Sequence, residues 1–123
     1  MFLILGDQLF PLKYLQEYKK DFFYMAEDIG LCTHEKYHKH KLILFLSAMR
    51  SYRDELISNK FNVIYNDINQ NKTLSYTDKI EKIIKSKKVK KITTYKISDH
   101  FFDVILKKIC KKLNVELMLI PNP

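Results

Sequence analysis

Glycine is the scarcest structural resource in this chain. There are two glycines in 123 residues, with three prolines and no tryptophan. Neither Gly-x-Gly-x-x-Gly nor a Walker loop occurs, which argues against a dinucleotide or nucleoside-triphosphate phosphate cradle. So little glycine and proline also argues against long disordered tracts. The two cysteines, Cys32 and Cys110, do not make a disulfide framework and suggest a reducing compartment, so a cytoplasmic location is expected. No apolar run reaches the roughly 18–20 residues that cross a bilayer. The opening MFLILGDQ has neither a basic n-region nor a small-residue cleavage site, so it does not have the form of a secretory signal. Arginine is scarce, and no aromatic-basic signature of an RNA-binding module is present.

What is there suits one domain over residues 1–123, and at 46% hydrophobic it can bury a core. The formal charge is +8, which invites a nucleic-acid reading. Much of it comes from lysines of the second half, from Lys79 through Lys91 and from Lys107 to Lys112. They alternate with apolar residues at helical spacing, so they read as solvated helix faces.

The chain is organised around His38–Leu56, HKHKLILFLSAMRSYRDEL. Phe45, Met49, Tyr52 and Leu56 repeat at helical spacing and make one stripe. Leu42, Leu44, Leu46 and Ala48 are expected to widen it. Ile43, Ser47, Arg50 and Asp54 fall opposite, where a further domain could dock. Plain core packing is the alternative for the whole stretch.

Around this helix, placed at about residues 38–59, apolar runs alternate with helical patterns. Strands are expected at Phe2–Leu5, Asp21–Ala26, Phe61–Tyr65, Val89–Tyr95 and Val115–Ile120. Pro11 suits the first turn of a short helix through Tyr18. Ser75 or Thr77 is expected to cap a helix with Ile80, Ile83 and Ile84 inward. Ser98 or Asp99 is expected to start another through Leu113, with Phe102, Ile105, Leu106 and Ile109 inward. Nearly continuous apolar strands separated by helices imply a five-stranded parallel sheet covered on both faces, an α/β Rossmann-like three-layer sandwich.

In such sheets ligands bind beyond the carboxyl ends of the strands. The candidates there are Gly6-Asp7-Gln8-Leu9 after strand one, Glu27 after strand two, and Asn66 and Asp67 after strand three. Gly6 permits close backbone approach, and Asp7 and Gln8 offer polar contacts to a ring. A simple Gly-Asp turn explains the same residues. Cys32, His34, His38 and His40 lack the paired spacing of a zinc site and read as a solvated loop, so no metal is expected. No nucleophile triad or carboxylate pair stands out.

The segments Leu3–Leu9 (LILGDQL), Met25–Glu27 (MAE), His38–Lys41 (HKHK) and Phe45–Arg50 (FLSAMR), followed by Tyr52, Leu56 and VIY, resemble the N-terminal domain of the deoxyribodipyrimidine photolyase-related family. This is the iron–sulfur bacterial cryptochrome and prokaryotic (6-4) photolyase group. The resemblance is concentrated in the first 65 residues or so. It implies an antenna domain for 6,7-dimethyl-8-ribityllumazine. FAD, an iron–sulfur cluster and the DNA lesion site would belong to a C-terminal catalytic domain outside this sequence, so DNA is an indirect partner. The site would comprise Gly6, Asp7, Gln8, Leu9 and Glu27, with Phe45 and Met49 against the ring and His38 and Lys41 at its rim. A nucleotide-binding domain, or a basic domain that binds nucleic acid by charge, is the alternative.

Overall fold

The computed structural model describes residues 1–27, 39–67 and 75–123, with the side chains of residues 39–42 left aside. The first strand, β1 (Phe2–Leu3), is the centre of the sheet. It is flanked by β2 (Phe22–Ala26) and β4 (Lys91–Tyr95), with β3 (Asn62–Asn66) outside β2 and β5 (Glu116–Ile120) outside β4. Every pairing is parallel, and Phe2 stands opposite Phe23 on one side and Thr93 on the other. The order is β3-β2-β1-β4-β5, so the chain winds outward in one direction, returns across β1, and winds outward in the other. Right-handed crossovers put the first connections on one face and the later ones on the opposite face.

The core follows this division. On one face Phe2, Ile4, Phe23, Met25 and Tyr95 pack with Leu15 of a 3-10 helix (Leu12–Tyr18) and with Met49, Tyr52 and Leu56 of α1 (Lys39–Ser58). On the other, Leu3, Tyr24 and Ile92 pack with Ile80, Ile83 and Ile84 of α2 (Tyr76–Ser86) and Phe102, Leu106 and Ile109 of α3 (His100–Lys112). Alternate residues of β1 therefore serve opposite layers, as strand pleating requires. The three-layer parallel α/β fold is the one expected from the sequence.

Ser75 caps α2 in a capping box, its hydroxyl accepting from the Asp78 amide while Asp78 accepts from the Ser75 amide. Asp99 caps α3 through the amides of Phe101 and Phe102. At their other ends the helices face the shortage of glycine directly. Lys60, Lys88 and Asn114 adopt positive φ (65°, 52° and 61°), the conformation usually given to glycine after a helix. Each is followed by a residue whose amide reaches back five positions: Phe61 to Leu56, Val89 to Ile84, and Val115 to Cys110. The hydrophobic contact within each of these pairs offsets the cost of a left-handed side chain, about 1 kcal/mol per site.

Two expectations about exposure need correction. Leu44 and Ala48 do not widen the buried stripe of α1, because both are exposed. At about 100° per residue Leu44 lies on the flank of the helix, beyond reach of the sheet. Lys79 is not part of a solvated face. It is buried, because Tyr76, Lys79 and Ile83 share the side of α2 that meets the sheet. Among the described residues no helix is long and apolar enough to cross a membrane.

Candidate functional site at the carboxyl edge of the sheet

The reversal of strand order falls between β1 and β4, so the crevice between their carboxyl ends is where this topology places a ligand. Gly6 lies at its base. A Cβ built there would stand 2.7 Å from Cε1 of Phe45 and 3.1 Å from Sδ of Met49. The absence of a side chain at Gly6 is therefore what lets α1 approach the end of β1. Met49 is buried behind Gly6, whereas Phe45 keeps part of its ring accessible. The turn is closed by the Gln8 amide, which donates to the Leu5 carbonyl at 2.9 Å. Asp7 projects into solvent and Leu9 is half-buried.

Gln8 crosses the crevice. Its Nε2 donates to the carbonyl of Lys96 at 3.1 Å, with the Tyr95 carbonyl at 3.5 Å. Two carbonyl partners fix which end of the amide is nitrogen. Its Oε1 is buried and meets no donor among the described residues. The side chain is only 3% exposed, so this acceptor is a costly feature unless something supplies a donor.

A second polar cluster lies beside it, at the ends of β2 and β3. The Glu27 carboxylate is completely buried. Arg50 grips it from α1 with two bonds, Nε to Oε2 at 2.7 Å and Nη2 to Oε1 at 2.9 Å. The Tyr65 hydroxyl donates to Oε2 as well. The Glu27 backbone is held too, its amide donating to the Asn66 carbonyl and its carbonyl accepting from Nζ of Lys79 at 3.0 Å. The Arg53 guanidinium lies over the Tyr65 ring, 4.6 Å from its centroid. Burial, with the anionic Glu27 next to it, pushes the Tyr65 hydroxyl up from its ordinary value, so it stays a donor. The hydrogen bond and charge of Glu27 hold Arg50 in its cationic form. Tyr24, which accepts from Asn66 at 2.6 Å, is pushed up by burial to about 12.

The sequence-level candidates thus fall into separate groups. Gly6, Gln8, Phe45 and Met49 meet at the switch point, and Glu27 is the centre of its own network. His38 lies outside the described residues, as do Cys32 and His34. Lys41 and His40 lie on α1, with side chains outside the description. Among the described residues no group of three His, Cys, Asp or Glu could hold a metal ion. Sequence reasoning placed Arg50 on the face left for a further domain, whereas it turns onto Glu27, and it did not single out Tyr65 or Lys79 as partners of that residue. The only local signal was their position: Arg50 one residue after Met49, Tyr65 near the end of its strand, and Lys79 between Tyr76 and Ile83 on an inward face.

This geometry defines a parallel α/β domain of Rossmann-like strand order, with Gln8 spanning its topological switch. Compared with protein families, residues 2–123 match the deoxyribodipyrimidine photo-lyase-related protein family, and the chain belongs to it. The match extends well past the first 65 residues that carry the recognisable motifs. Among curated proteins, no match was found.

Proposed function

We propose that this chain is the light-harvesting domain of a photolyase-related flavoprotein. It binds 6,7-dimethyl-8-ribityllumazine at the switch-point crevice and passes excitation to a flavin held outside residues 1–123. FAD and the iron–sulfur cluster belong to a catalytic domain, which also carries the site for the DNA lesion. Family membership supports the photolyase-related role.

The observation that carries the site is the buried Oε1 of Gln8, an acceptor without a donor among the described residues, at the point where the topology places a ligand. A planar heterocycle with an N–H suits it. Asp7 and the accessible part of Phe45 offer a polar contact and an apolar one next to it. Glu27, already gripped by Arg50 and Tyr65, contributes by fixing α1, and with it Phe45, against the strand ends. The bound chromophore would supply absorption and energy transfer. The protein's part is to hold the ring, orient it and exclude quenching water.

Fluorescence titration of the chain with the ribityllumazine, beside riboflavin and ATP, tests this reading. Saturable binding of the lumazine is expected, weakened about tenfold by Gln8→Leu through loss of one hydrogen bond. Circular dichroism reports whether the variant is folded, and Asp7→Ala gives a second variant at an exposed position. If the folded chain ignores the lumazine, or takes ATP equally well, the proposal fails.

A further inference from the structure

In a parallel sheet every helix-to-strand turn falls at the same edge, opposite the ligand-binding edge. In this protein those turns carry the lysines. Lys19 and Lys20 precede β2, and Lys60 precedes β3. Lys87, Lys88, Lys90 and Lys91 run from the end of α2 into β4, and Lys111 and Lys112 end α3 just before β5. All but Lys19 are exposed; Lys19 is half-buried, its Nζ 5.0 Å from the centre of the Phe61 ring. The last two turns are joined by the Glu116 amide, which donates to the Lys90 carbonyl at 2.9 Å. Lys112 also reaches Glu81 across the two helices at 3.6 Å. The acids near this edge are Glu17, Asp21, Glu55, Glu81 and Glu116, fewer than its lysines; Asp21 is already engaged by the Met1 ammonium at 2.8 Å and Glu81 by Lys112.

The opposite edge is mixed, since Lys96 follows β4, Lys39 and Lys41 open α1, and Arg50 and Lys79 both bind Glu27. Asp7, Glu27, Asp67 and Asp99 follow β1, β2, β3 and β4 in turn. Residues 75–123 hold twelve lysines against five acids, whereas residues 1–74 are nearly balanced, with ten basic residues and nine acids. The fold therefore gathers much of the lysine behind the formal charge of +8 at one edge.

We infer that this lysine edge is a docking surface for the phosphate backbone of a nucleic-acid duplex, separate from the chromophore crevice. Five strands spaced at about 4.8 Å make an edge of roughly 19 Å. A duplex presents one phosphate charge per ~1.7 Å of axis, or about 11 over that length, of which about half face one side. That matches the supply of exposed lysines. Lysine is a point charge without a bidentate fork, so the surface would track phosphates and not read bases. An anionic bilayer is the weaker partner for it. Among the described residues, Ile57 in the last turn of α1 is the one exposed large apolar side chain near this edge, which leaves little to bury in lipid.

The test is a salt titration of binding between the whole chain and a labelled DNA duplex of about 20 base pairs, in two unrelated sequences. Two charge-matched variants decide it. One replaces Lys20, Lys87, Lys90 and Lys111 by Gln at the edge. The other replaces Lys13, Lys82, Lys107 and Lys108 by Gln away from it. Equal binding of both sequences is expected, with affinity falling steeply with salt. The edge variant should lose close to four phosphate contacts. Its affinity would then vary about 150-fold less than wild type over a fourfold rise in salt. The second variant should retain most of the wild-type slope. Equal losses in the two variants would reduce the effect to net charge and overturn the assignment. So would the absence of duplex binding at low salt, or tighter binding to phosphatidylglycerol vesicles than to DNA.

Discussion

Arg50 on α1 holds both carboxylate oxygens of Glu27, at 2.7 and 2.9 Å, and so ties the helix to the end of β2. The carboxylate is buried, while the arginine side chain is 44% exposed. The two partners are therefore unequal. Removing Arg50 leaves a buried charge short of donors, whereas removing the charge leaves an arginine that water can satisfy.

Arg50→Ala should destabilise the protein by about 1–3 kcal/mol, because Tyr65 remains to solvate Glu27 in part. In the double variant with Glu27→Gln the two losses should not add. Chemical denaturation of the two single variants and the double variant measures the coupling. Additive losses would mean that the pair does not hold α1 to the sheet.

Gly6→Ala should cost about 1–3 kcal/mol through overpacking, since the new methyl meets the Phe45 ring and Sδ of Met49. Phe45→Leu in the same chain should recover part of that loss by freeing the space. Thermal melts of the two variants check this. An unchanged melting temperature for Gly6→Ala would show that α1 shifts freely away from the end of β1.

Alkaline pH should unfold the protein through its buried tyrosines. Tyr24 has its ordinary value of 10.0 raised to about 12 by burial. Below pH 10 the hydroxyl is protonated in both folded and unfolded chains, so its stabilising contribution is intact. Between pH 10 and 12 the unfolded chain gives up this proton and the folded chain keeps it, so stability falls as pH rises. Tyr52 and Tyr65, raised in the same direction by burial, add to the slope. Denaturant midpoints across this window, followed with tyrosinate absorbance, should fall together. A flat stability profile would contradict the burial of these hydroxyls.

The Cys110 thiol is buried, and burial alone pushes it up from its ordinary value. It should react with a thiol reagent far more slowly in the folded protein than in denaturant. Peptide mapping after brief alkylation distinguishes it from Cys32. Rapid labelling of Cys110 in the native chain would show that α3 opens readily from the sheet.

The sheet was legible because its strands are apolar runs of the right length, bounded by polar turns. Residues such as Ile80, Ile83, Ile84, Leu106 and Ile109 announced inward faces by spacing alone, and burial bears this out. The stripe of Phe45, Met49, Tyr52 and Leu56 was read in the same way. Leu44 was misread because hydrophobicity in a window does not fix angle, and an apolar residue about 100° from Phe45 faces water. The caps at Ser75 and Asp99 lay within the alternatives the sequence offered, since the capping pattern is local.

Periodicity and turn chemistry, which act within a few residues, determined the order of elements, their faces and the three-layer parallel architecture. What they left open depended on contacts between residues far apart in the chain. The grip of Arg50 and Tyr65 on Glu27 spans 23 and 38 residues, and the bond from Gln8 to Lys96 spans 88. Lys79 was drawn inward because the Glu27 carbonyl waits there, 52 residues earlier in the chain. The gathering of lysines at one edge was likewise decided by tertiary structure. Parallel strands send every helix-to-strand turn to the same side, and a linear sequence does not show that those separate turns are neighbours.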